Sequence, residues 1–251
     1  MNSSQVHGVI FDLGSTLIDF EGDYAQVIPE SLMAIADHFA TVSTTLDRTS
    51  FIDQFGQTLD DYHKRRDDDY REHTTYAILR VVLARFIDPL PGESELRDGL
   101  SAMYAVSEAH WQPKQSMLSV LQQLLSSGYK LGLLSNAGDE ANVQRLIDKV
   151  GIRAFFDPIL ISAALGIRKP DPRPLQMILE QWGLPPSEVV MVGDLLEADI
   201  LGAQRAGIHQ IWLCEGRDSE SSTQLEEIQP EAIAADLTEV PVLIQRWNQK
   251  G

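Results

Sequence analysis

The stretch Gly8-Val9-Ile10-Phe11-Asp12-Leu13-Gly14-Ser15-Thr16-Leu17 (GVIFDLGSTL) decides how the rest of the chain is read. Its first six residues form a β-rich apolar run, too short for a helix and suited to a strand buried on both faces. The run delivers a carboxylate, Asp12, into an irregular loop of small residues. Comparable runs recur at Lys130–Ser135 (KLGLLS), Pro158–Ser162 (PILIS), Val189–Gly193 (VVMVG) and His209–Cys214 (HQIWLC). Between them lie helical patterns, apolar at i, i+3 and i+4, over Ser116–Ser126, Glu140–Val150, Pro172–Trp182 and Asp199–Ala206. This alternation predicts an α/β fold, a doubly wound parallel sheet covered by helices on both faces. Gly128, Gly151, Gly183 and Gly207 stand just past helix ends, where a left-handed residue closes the last turn.

From about Phe20 to Trp111 the pattern changes. This part holds long helical periods over Ala25–Phe39, Phe51–Asp68, Thr75–Phe86 and Glu95–His110, enough for a small bundle, with no strand-like run among them. The expected division is an α/β core at residues 1–20 and 112–251 and a helical domain at 21–111. Residues 216–230 are polar and read as a surface loop, after which PEAIAADLTEVPVLIQRW reads as a last short strand and a closing helix.

Bulk composition limits the partners. The chain of 251 residues is 43% hydrophobic and carries 20 basic against 37 acidic residues, a formal net charge of −17. That charge repels nucleic acid and anionic membrane surfaces at long range. No apolar run approaches the roughly 18 residues that a membrane span needs, and the N-terminal stretch has neither a basic leader nor a cleavable apolar core, so the expected compartment is the cytoplasm. The lone Cys214 has no disulfide partner and reads as core packing. The six histidines show no metal-ligand spacing. In the helical part, Lys64-Arg65-Arg66 followed by Asp67-Asp68-Asp69 reads as a solvated charged face, and Tyr62, Tyr70, Tyr76 and Trp111 read as packing residues rather than as a domain interface.

In an open parallel sheet the ligand site lies beyond the carboxyl ends of the strands. There the sequence offers Asp12 after the first strand, Ser135-Asn136 after the second, Lys169 in GIRKPDP after the third, and Gly193-Asp194 with Glu197 and Asp199 after the fourth. Asp12 and Asp194, ending two buried strands, repel unless a cation lies between them, and hard oxygen ligands favour Mg²⁺. The hydroxyl and amide of Ser135-Asn136 and the Lys169 ammonium suit a phosphoryl group opposite that metal.

These four pieces, VIFDLGSTL, LLSNA, GIRKPDP and VGDLLEADILGAQRAG, resemble the haloacid dehalogenase-like hydrolase superfamily over residues 8–20 and 114 to about 214. The class it resembles has a Rossmann-like core with an α-helical cap inserted between the first two motifs. The resemblance implies a Mg²⁺-dependent phosphatase acting on a small phosphorylated metabolite. Asp12 would be the nucleophile that accepts the phosphoryl group, and Asp12, the Gly14 carbonyl and Asp194 would hold the metal. Ser135, Asn136 and Lys169 would bind and neutralise the phosphoryl oxygens, Thr16 would fix the loop, and Glu197 or Asp199 would support the metal or the lysine. One position departs from the pattern: where family phosphatases carry a second Asp as general acid, this chain has Gly14. Three readings follow: a phosphatase using another acid such as Asp19, Asp23 or His73; a dehalogenase-type displacement at carbon; and a binding or regulatory protein with little catalysis.

Overall fold

Strands that bury both faces need partners on both edges, and the apolar runs supply them to one another. The computed structural model describes residues 5–215 and 227–250. Among these the strands are β1 (Gly8–Phe11), β2 (Ile18–Phe20), β3 (Trp111–Pro113), β4 (Lys130–Ser135), β5 (Ile159–Ile161), β6 (Val189–Gly193), β7 (His209–Leu213) and β8 (Ala232–Ala234). Six of them form one parallel sheet in the order β5-β4-β1-β6-β7-β8. Val9, Ile10 and Phe11 are wholly shielded from solvent, each such side chain contributing about 1.5–3 kcal/mol.

The sheet is covered on both faces, as the alternating pattern predicts. On one face Val9 and Phe11 pack with α5 (Met117–Ser126), α6 (Glu140–Lys149) and the closing α10 (Glu239–Lys250). On the other, Ile10 packs with α8 (Arg173–Trp182) and α9 (Leu201–Ala206). Gly128, Gly151, Gly183 and Gly207 have φ of 86°, 71°, 64° and 74°. All four therefore sit in the left-handed region that their helix-end positions suggested.

The helical segment is α1 (Tyr24–Val42), α2 (Arg48–Arg65), α3 (Thr75–Leu83) and α4 (Glu93–Glu108). Its starts are capped by Asp23, Asp47 and Thr74, whose side chains accept from the backbone N–H of Ala25, Ser50 and Ala77. These helices share their own core, in which Phe39, Phe51 and Phe55 are fully buried. Where the chain leaves and re-enters the sheet, β2 and β3 pair antiparallel, Phe20 opposite Trp111. The sequence does not mark this two-stranded stem, because three-residue strands are too short to show alternation. The last strand and closing helix occur as β8 and α10, while residues 216–226 of the expected polar loop lie outside the described residues. Among the described residues, no helix is long and apolar enough to cross a membrane.

Candidate active site

β1 lies between β4 and β6, the point where successive connections diverge to opposite sides of the sheet and leave a crevice at the strand ends. Asp12 follows β1 directly, its N–H still donating to Val192 O at 3.0 Å. Ser135, the last residue of β4, is buried, and Asp194 is the first residue beyond β6. Lys169 reaches the same point from the loop between α7 (Ser162–Leu165) and α8. It is only 1% exposed. Its Nζ donates to Asp12 Oδ1 at 2.5 Å and to Leu134 O at 2.7 Å, and ion-pairs with Asp199 Oδ1 at 2.7 Å.

Several residues brace this arrangement through their own hydrogen bonds. The Asn136 amide donates to Lys169 O and accepts from Lys169 N–H, both at 2.9 Å, so its side chain is spent on fixing the lysine's backbone. Thr16 is fully buried and its Oγ1 donates to Asp194 Oδ1 at 3.5 Å. Asp199 stands in a wide π-helical turn, Leu196–Ile200, and its Oδ2 accepts from Leu195 N–H at 3.0 Å. Gly193 makes room for it: a Cβ there would lie 2.3 Å from Asp199 Cγ. Glu197, on the same turn, is exposed and lines the cavity described below.

Carboxylate oxygens of Asp12, Asp194 and Asp199 come within 4.8 Å of one another. Three carboxylates against one ammonium leave the centre two charges short of neutral. Burial pushes the Asp12 carboxyl up from 3.8 to about 7, with Asp199 and Asp194 adding to the rise and Lys169 opposing it. Burial pulls Lys169 down, but Asp12 and Asp199 more than offset this and hold it above the usual lysine value. A hard divalent cation fits such a donor set by charge and by ligand type. Asp12 and Asp194, with the carbonyl of Gly14 two residues after Asp12 as a further oxygen, are the groups that could hold it, while both Asp199 oxygens already have partners in Lys169 and Leu195 N–H.

The helical segment docks on the loops that carry these residues. Glu72 N–H donates to Gly166 O, Arg168 N–H to Tyr70 O, and Thr75 N–H to Gly138 O. The buried Glu72 carboxylate accepts from Tyr62 OH at 2.5 Å and Ser162 Oγ at 2.7 Å, and lies 3.5 Å from Arg168 Nε. Asp67 pairs with Arg168 at 3.0 Å, and the Arg205 guanidinium stacks over Tyr70. Of the 64–69 charge run, Asp67 pairs with Arg168 yet stays exposed with most of its neighbours, so the face is largely solvated, as the sequence suggests. The expectation for the aromatics is corrected at two positions: Tyr70 contacts Arg168 and Arg205 of the α/β part, and Trp111 packs against the core below the sheet rather than within the helical bundle. Nothing in the sequence around Glu72 marks it. A cavity of about 550 Å³, lined by Arg66, Tyr70, Arg168, Asp194, Leu195 and Trp212 among others, opens beside the carboxylate cluster.

The sheet order, the cluster at its centre and the helical insertion define a class, and comparison with known proteins identifies it. Residues 6–207 match the haloacid dehalogenase-like hydrolase family, so the chain belongs to that family. It is 31% identical over 136 residues to the glyceraldehyde 3-phosphate phosphatase of Methanopyrus kandleri, covering 54% of this chain and 58% of that protein. It is 36% identical over 113 residues to the phosphoserine phosphatase of Thermus thermophilus, covering 45% of this chain and 43% of that protein. The chain thus spans about half the length of these curated relatives. Among solved structures, the 2-haloacid dehalogenase of Pseudomonas syringae pv. Tomato superposes with a TM-score of 0.68 at 26% identity, covering 97% of this chain and all of that one.

Proposed function

We propose that this chain is a Mg²⁺-dependent phosphatase that hydrolyses small phosphomonoesters through an aspartyl-phosphate on Asp12. The observation that carries the reading is the charge of the centre: three buried carboxylates meet one buried ammonium, an imbalance suited to a divalent cation and a phosphoryl group together. We take residues 1–20 and 112–251 as the catalytic core and 21–111 as a helical cap over it, with the cavity beside Asp194 as the path of the substrate.

Asp12, ionised, attacks phosphorus with its carboxylate oxygen, and the bond to the leaving oxygen breaks. Lys169 keeps Asp12 oriented and balances charge as the phosphoryl group arrives. Asn136 fixes the lysine's backbone, and Ser135, at the end of β4, donates to the transferred oxygens. Thr16 holds Asp194, and Asp199 holds Lys169. When bound, Mg²⁺ would offset the negative charge of Asp12, Asp194 and phosphate. The helical cap excludes bulk water while the intermediate lasts. Water then attacks phosphorus and restores Asp12.

A dehalogenase reading has the superposed structure in its favour. Displacement of halide at carbon needs no cation, however, and would leave the acidic excess around Asp194 without a purpose. Phosphate release from a panel of phosphomonoesters with Mg²⁺ should be measurable, and Asp12→Asn should abolish it. Equal rates in mutant and wild type, or halide release from 2-haloacids under chelation, would refute the proposal.

A further inference from the structure

Glu72, in the connection between α2 and α3, is a carboxylate buried to 8% exposure that the chemistry at Asp12 does not call on. Burying an anion is costly unless it is paired and hydrogen-bonded, and here the partners come from both parts of the chain. Tyr62 OH donates to it from the helical segment, while Ser162 Oγ donates from the α/β part at 2.7 Å. The Ser162 hydroxyl in turn accepts from Ala137 N–H at 2.8 Å. Ala137 follows Asn136, whose amide holds both the N–H and the carbonyl of Lys169. A continuous chain of bonds therefore runs from the helical segment to the lysine that pairs with Asp12.

A second route reaches the same lysine from its other side. Arg71 is bridged antiparallel to Ile167, Glu72 N–H donates to Gly166 O, and Arg168 N–H donates to Tyr70 O. Arg168 adjoins Lys169 in sequence. Its buried side chain is shared between Asp67 at 3.0 Å and Glu72 at 3.5 Å. The loop after β4 is pressed against α3 as well: Thr75 N–H donates to Gly138 O at 2.8 Å, and a Cβ on Gly138 would lie 2.7 Å from Thr75 Oγ1. The two loops that carry Asn136 and Lys169 thus both meet the helical segment within a few residues of Glu72. Directed polar contacts of this kind fix one register, where an apolar contact of equal area would let the parts slide.

We propose that Glu72 is a positioning residue for Lys169: its carboxylate ties the docking of the helical segment to the placement of the ammonium beside Asp12, so that turnover is fast only while that segment is seated. The proposal rests on the reading of Lys169 as the group that orients Asp12 and balances its charge, and extends it to a residue that acts at a distance. Without Glu72, Ser162 Oγ loses its acceptor and Arg168 one of its two carboxylates, and the loops on either side of Lys169 are free to shift. A displacement of about 1 Å at a reacting group is enough to cost on the order of 10²-fold in rate.

The test compares wild type with Glu72→Ala and Glu72→Gln by amide hydrogen exchange and by phosphate release with Mg²⁺, below the melting temperature of each. In Glu72→Ala the N–H groups of Ala137 and Lys169 should exchange about tenfold faster or more, while Ile10 in β1 and Ile178 in α8 keep their wild-type rates. Its kcat should fall by about 10- to 100-fold with KM little changed. Glu72→Gln can still accept from Tyr62 and donate to Ser162 Oγ, and should restore most of kcat. If Glu72→Ala does not fold, Ser162→Ala breaks the same chain on the α/β side and carries the same expectation. Wild-type exchange at Ala137 and Lys169, or a kinetic change confined to KM, overturns the proposal even if the variant melts lower. Absence of phosphate release from the wild-type protein overturns the phosphatase reading instead, and exchange alone then decides whether Glu72 governs the placement of Lys169.

Discussion

Replacing Lys169 by methionine keeps the length of the side chain and removes its charge. Lys169 is 1% exposed, and the substitution deprives two buried carboxylates, Asp12 and Asp199, of their shared counter-charge while Asp194 remains beside them. Removing one partner of a buried pair costs about 3–5 kcal/mol, because the other is left as an uncompensated charge. For a chain of this size each kcal/mol lowers Tm by about 2–4 °C, so the variant should melt about 6–20 °C below wild type. The measurement is thermal unfolding by circular dichroism in chelator at about pH 8, where the carboxylates are ionised in the unfolded chain. Lys169→Met with Asp199→Asn should recover part of the loss, since one of the stranded charges is gone. A Tm for the single variant within about 2 °C of wild type, less than one kcal/mol, would refute the view that this lysine neutralises the cluster.

Gly193→Ala should be nearly as damaging although it adds one methyl group, because its Cβ would overlap Asp199 at 2.3 Å; overpacking of this kind costs about 1–3 kcal/mol, read as a lower Tm, and phosphate release should fall as Asp199 is pushed from Lys169. A fully active, equally stable Gly193→Ala protein would contradict the close approach. The Asp12 carboxyl, raised by burial from 3.8 to about 7, keeps its proton in the folded state after the unfolded chain has lost it. Its contribution to stability in chelator is therefore greatest at acid pH, is lost as pH climbs from 3.8 towards 7, and is flat above. Asp12→Asn lacks this dependence, so the Tm of wild type relative to Asp12→Asn should fall across that window, and Mg²⁺ should bind more tightly across the same window because it needs the ionised carboxylate. A Tm difference independent of pH would count against the buried, acid-crowded setting of Asp12.

The sheet was legible because its strands are buried on both faces and so appear as uninterrupted apolar runs, each followed by a helix with a clear apolar stripe. The order of Asp12, Ser135, Lys169 and Asp194 along those runs points to one crevice at the strand ends. What sequence could not convey were contacts made between segments whose own patterns are unremarkable. Gly14 reads as a missing acid, and only the structure shows Trp111 beside it, within ordinary contact of a Cβ built there. Asn136 carries an amide suited to phosphate, yet the structure turns it to the backbone of Lys169. Glu72 is one glutamate among many until Tyr62, Ser162 and Arg168 are seen around it. Charge patterns share this ambiguity, since a helix face rich in both signs suits water and a polar interface equally well.

The contact between Lys169 and Asp12 joins residues 157 positions apart, and that between Thr16 and Asp194 spans 178. Every element of the centre is therefore contributed by a different part of the polypeptide. During synthesis at about 5–20 residues per second, Asp12 would precede Asp199 by roughly 10–40 s. Until the last of them is made, Asp12 lacks part of the charged set that surrounds it in the folded chain. The charged centre is assembled only when β6 closes against β1, so it is a property of the finished fold and of no shorter stretch of the chain.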